Sequence, residues 1–189
     1  MKKIKLIVPE NWGDITIEQY QKFMKVLDSN KKEKQKNLEI VSIFCDIEVE
    51  LLKKFKLKDL NRISDIIIKM TKDDPSDIAM QKNIEFDGND YGVIPNMSNM
   101  TTGEFIDLET YCENSVDNLH KIMSIIYRKQ KDAVDRNDRY EIEDYKPTEE
   151  KKDLMLKLPM NYALGVLNFF FHLGDKLIKD SGSYLVKSR

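Results

Sequence analysis

The chain has 189 residues with 31 basic and 33 acidic side chains, a net charge of -2, and 41% hydrophobic and 34% charged residues. One domain over 1–189 is expected at this length, with a core beneath a heavily charged surface. The even balance of sign argues against nucleic acid as the main partner, because phosphate binding needs a basic surplus. The longest run without an acidic or basic residue, 158–174, is shorter than the roughly 20 residues of a membrane-spanning helix.

In chain order, 3–8 alternates Lys3, Ile4, Lys5, Leu6 and predicts an edge strand closed by Pro9. Its apolar run is too short for a signal h-region. Trp12-Gly13-Asp14 reads as an exposed turn. Thr16-Ile17-Glu18-Gln19 reads as a capping box, opening a helix with Tyr20, Phe23, Met24 and Leu27 on one face. A polar, lysine-rich break spans 28–36. Leu38, Val41, Ile43, Phe44 and Cys45 mark a second helix, nearly apolar on two sides and so expected to be central. The apolar spacing over 48–55 and 57–70 fits two short helices or one bent one, ending before Pro75. The period then changes to two. Ile84 and Phe86, the turn residues Asp87-Gly88-Asn89-Asp90, then Tyr91, Val93 and Ile94 predict a hairpin. It should pack on helices or pair with 3–8.

Thr101-Thr102-Gly103-Glu104 offers caps for a short helix carrying Phe105, Ile106, Leu108 and Tyr111. Ser115 is expected to cap the next, whose stripe of Val116, Leu119, Ile122, Met123, Ile126 and Tyr127 is the clearest helical face in the chain. Residues 129–147 contain 11 charged residues of both signs among 19, with Tyr140 and Tyr145, and predict a long loop or arm. Thr148-Glu149-Glu150 opens a helix through Leu154 and Leu158. The last helix runs from 160 to about 179 with Tyr162, Val166, Leu167, Phe169, Phe170, Leu173 and Leu177 as its core face, and Gly182 precedes a tail over 183–189. The fold class expected is mainly α, a helical domain with a small antiparallel β-hairpin element.

No phosphate loop, dinucleotide fingerprint, metalloprotease helix, nucleophile elbow or paired CxxC occurs. Cys45 and Cys112 read as small buried hydrophobes. Asp117 and His120, three apart, read as a solvent-facing ion pair, and His172 as a hydrogen-bonded residue at the core boundary. A metal-dependent or thiol enzyme built on these histidines and cysteines is the rival from another class. The lysine run 31–36 carries no interleaved aromatic for base stacking, which weakens a third reading as a nucleic-acid packaging factor. An interaction protein remains, with Trp12, Tyr140, Tyr145, Lys31 and Lys32 as candidate partner-binding residues.

The segment Tyr91-Gly-Val-Ile-Pro-Asn-Met-Ser-Asn-Met-Thr-Thr-Gly-Glu-Phe-Ile-Asp-Leu-Glu109 resembles one found in small virion-associated and assembly proteins of crAss-like, Bacteroidetes-infecting tailed bacteriophages. Ile15-Thr16-Ile17-Glu18-Gln19-Tyr20 and the stretch from Pro159-Met160 through Phe169-Phe170-Phe171 fall in the same order as in those proteins. The resemblance implies a non-enzymatic structural or cargo component of the particle, in the capsid interior or the portal and tail-ring region. Its alternative is a tail-assembly chaperone that leaves before maturation. It implies location in the virion and, during assembly, the host cytoplasm. The partners would be other phage structural proteins and further copies of the chain, with no cofactor, metal or catalytic residue.

Overall fold

The computed structural model describes residues 6–131 and 140–172. Thr16 caps the first helix, α1 (Ile17–Leu27), through a reciprocal box: its hydroxyl accepts from Gln19 N while the Gln19 side chain accepts from Thr16 N. The helix turns Ile17, Phe23 and Val26 inward. The second helix, α2 (Glu33–Phe44), starts inside the lysine run rather than after it and buries only Val41 and Phe44. Two separate helices follow, α3 (Val49–Leu52) and α4 (Leu57–Lys72), and α2 packs against α1, α3 and α4.

β1 (Asn83–Phe86) and β2 (Asn89–Val93) form the expected hairpin. Its two-residue turn places Asp87 at φ 50° and Gly88 at φ 69°. Positive φ at both central positions matches the right-handed strand twist, and aspartate followed by glycine tolerates it best.

The third strand of the sheet comes from elsewhere than the described part of 3–8. Residues 6–8 carry no strand, and 3–5 lie outside the described residues. It comes instead from β3 (Tyr127–Lys129), which pairs antiparallel with β2 in the order β1-β2-β3, Val93 opposite Tyr127. The helical stripe that included Tyr127 therefore ends one residue earlier, at Ile126. The open backbone edge of β2 takes up 127–129, and the Tyr127 hydroxyl donates to Gln81 O at 2.6 Å.

Thr101 caps α5 (Thr102–Cys112) by a second reciprocal box, with Glu104. The next helix, α6 (Leu119–Ile126), starts later than its stripe suggested, with Asn118 rather than Ser115 at its N-cap. The Gln21 amide of α1 donates to the carbonyls of Val116 and Asp117 at 2.8 and 2.9 Å, taking acceptors that a longer helix would have used internally. α6 is the hub of the fold. It touches α1, α5, β3 and α7 (Glu149–Met155), and Leu119, Ile122, Met123, Ile125 and Ile126 are all buried. Burial of each such side chain stabilises by about 1.5–3 kcal/mol.

The final described helix, α8, covers 160–172. Backbone bonds from Met160 N to Ile15 O and from Ile17 N to Leu158 O tie its start to the start of α1. Its core face is Met160, Ala163, Leu164 and Val166. Leu167, Phe169 and Phe171, by contrast, are exposed, although Leu167 and Phe169 were expected inside. Leu173, Leu177, Gly182 and the tail lie outside the described residues.

Candidate interaction surface

Asn11 and Asp14 build a rigid turn before α1. Asn11 Oδ1 accepts from Gly13 N at 2.9 Å, and Asp14 Oδ2 accepts from the backbone N–H groups of Glu10 and Asn11. The turn lays Trp12 half-buried against Tyr20, ring centroids 6.1 Å apart and edge-on, so Trp12 is not the exposed anchor expected. The aromatic series continues inward through Phe23 to Phe44. Trp12, Tyr20 and Phe23, with Met24, Leu27, Ile40 and Ile68, line a groove of about 470 Å³ between α1, α2 and α4. Its walls are mainly apolar, with Glu33 and Lys36 on the α2 side, so its chemistry is that of apolar contact.

The lysine run is partly engaged within the chain. Lys31 Nζ sits 2.6 Å from Glu39 Oε2, and Lys36 Nζ donates to Leu27 O at the end of α1. A lysine suits that position because the last helical carbonyls are unsatisfied and the helix end is partially negative. Lys32 is exposed as the N-cap of α2 and makes no side-chain capping bond.

Tyr140 and Tyr145 are internal staples. The segment 141–143 runs alongside the end of β3, with Lys131 N donating to Glu141 O and Glu143 N to Lys129 O. The base of the predicted arm therefore covers the outer edge of β3, whereas 132–139 fall outside the described residues. The Tyr140 hydroxyl donates to Val93 O at 2.7 Å, and its ring lies over Gly92, where a Cβ would come 2.3 Å from Cε2. The Tyr145 hydroxyl donates to Asp107 Oδ2 on α5 at 2.6 Å; burial, then this carboxylate, push its ionisation up.

The residues of the enzyme alternative sit in different surroundings. Cys45 is in the core, its thiol pushed up to about 11 by burial, while Cys112 is exposed rather than buried as expected. His172 lies exposed with its ring against Phe171. Asp117 pairs with Lys25, at 3.3 Å, instead of His120. The Gln21 amide nitrogen, which donates to the Val116 and Asp117 carbonyls, also lies 3.1 Å from His120 Nδ1. Among the described residues, no three His, Cys, Asp or Glu side chains are grouped as a cation would require.

His120 carries a pH prediction. Burial first, then Lys121, lower its ionisation below the ordinary 6.5, with Lys152 acting the same way and Asp153 and Glu149 opposing. The folded chain thus favours the neutral ring. As pH falls below about 6.5 the unfolded chain takes up the proton first. The contribution is therefore fully present above that value and is lost as pH falls through the lower folded value. Urea midpoints measured between about pH 7 and pH 5 should fall more steeply for the natural chain than for His120→Gln. Equal slopes would remove His120 from this role.

The surface also shows a division of charge that the reading by motif missed. Between Lys82 and Lys121 the chain has no lysine or arginine, and α5 with its flank carries Asp107, Glu109 and Glu113 beside exposed Phe105 and Ile106. At the start of α4, exposed Leu57 is surrounded in sequence by Lys53, Lys54, Lys56 and Lys58. A count of charge by sign along the chain would have found both. No known protein family, curated protein or solved structure matches the chain.

Proposed function

We propose that the chain is a non-enzymatic structural or cargo component of a tailed-phage particle, in the capsid interior or the portal and tail-ring region, working through protein–protein contacts. The phage assignment rests on the sequence resemblance through 91–109 and its flanking segments. Support for action by contact comes from one observation: Leu57, Phe105 and Ile106 are large apolar residues exposed on helices whose opposite faces are anchored in the fold. Apolar residues presented from rigid elements lose little freedom on association, so they serve well as interface anchors.

Mass spectrometry of purified mature particles tests the proposal, with recovery of the chain there as the expected result. Its presence in infected-cell lysate but absence from particles would replace this reading with that of a tail-assembly chaperone.

A further inference from the structure

The two apolar patches differ in the sign of the charge around them. On α5, Phe105 is 58% exposed and Ile106 54%, and the helix from Thr102 to Cys112 contains Glu104, Asp107 and Glu109 but no cation. Glu104 is buried against Arg128 and Asp107 bonds Tyr145, leaving Glu109 and Glu113 exposed beside the apolar pair. At the α3–α4 junction Leu57 is 71% exposed, with Lys54, Lys56 and Lys58 exposed around it. Lys53 there already pairs with Glu50, and Asp59 is the single acid within 53–62. The patches lie on different parts of the fold, since α5 packs on α6 and α4 on α2.

We propose that a second copy of this chain covers each patch, the acidic α5 face of one copy meeting the basic face around Leu57 of the next. Charge complementarity selects that occupant. Each patch carries apolar side chains for the other to bury, and the charge around each is mainly opposite in sign to that around the other. Two like patches brought together would set Glu109 and Glu113 against their own copies, or the lysines against theirs, which is repulsive. The contact is thus heterologous, and repeated head to tail it builds a ring or an open array. This deepens the reading that the chain works through protein contacts, and its failure leaves the particle assignment to mass spectrometry.

Sedimentation velocity on the full chain tests it. Phe105→Lys places a cation opposite the basic patch, and Leu57→Glu places an anion opposite the acidic one. Both sites are exposed, so unchanged urea midpoints should accompany both substitutions. The natural chain should show a mass that rises with concentration and falls with added salt, as screening shortens from about 10 Å at 0.1 M to about 3 Å at 1 M. Each variant alone should sediment as one protomer, and an equimolar mixture should associate again, because each contributes one intact patch. A natural chain that stays monomeric at its highest soluble concentration, a single variant that still associates, or a mixture that does not would each overturn the proposal.

Discussion

Replacing Glu104 with alanine should cost about 3–5 kcal/mol of folding stability, the cost of leaving one member of a buried ion pair alone. Glu104 Oε1 lies 2.8 Å from Arg128 Nη1, and only 3% and 11% of the two side chains are exposed. The other carboxylate oxygen accepts from Thr101 N, so one side chain both caps α5 and neutralises a cation on β3. Arg128 Nε is buried with no hydrogen-bond partner among the described residues, so the guanidinium depends heavily on this carboxylate. Alanine removes the Glu104 half of the capping box and strands the charge together. Glu104→Gln keeps an acceptor for Thr101 N and should cost less. The double change Glu104→Leu with Arg128→Met should cost less than the two single changes added, because no unpaired charge remains. Urea unfolding with an unchanged slope measures all three. A loss below about 1 kcal/mol for Glu104→Ala would mean that the pair behaves like a solvated surface pair.

Gly165→Ala should also destabilise the chain, by about 1–3 kcal/mol, and Gly165→Val by more. Helix propensity alone predicts the opposite, a gain of about 1 kcal/mol for alanine inside α8. The deciding fact is the close crossing of α8 over residues 79–80. A Cβ at position 165 would lie 2.6 Å from Ala79 O and 3.0 Å from Met80 Cα. These are backbone atoms, so no rotamer change relieves the contact. The Asn168 amide, one turn further along, donates to Pro75 O at 2.6 Å and to Ile78 O at 3.1 Å, holding the same segment against the helix. Steric overlap must therefore shift either α8 or the connection into β1, and with it the carbonyls that Asn168 satisfies. A urea midpoint that rises in Gly165→Ala would show that the crossing can open without loss.

The features legible in the sequence are those whose partners are a few residues away. Thr16 with Gln19, Thr101 with Glu104, and Thr148 with Lys151 N are caps closed within one turn, and Asp87-Gly88 closes a two-residue hairpin. The stripe from Leu119 to Ile126 was visible for the same reason, since burial of one helical face requires apolar residues at helical spacing. The candidate partner residues were less legible. Aromatic character and mixed charge marked Trp12, Tyr140 and Tyr145, but those traits do not distinguish a residue that seeks another chain from one that bonds a distant segment of its own.

By itself, then, the sequence determined the helical class, the caps, the hairpin and its turn, and the division of charge between the α5 region and the α3–α4 junction. Tertiary structure alone decided where α6 starts and stops, which strand completes the sheet, and that both tyrosines close the fold rather than project from it. The physical reason is range. Caps, turns and amphipathic spacing are settled by neighbours along the chain, whereas Gln21 reaching Val116, β2 taking up 127–129, and Tyr140 resting on Gly92 depend on what folding brings together from far along it.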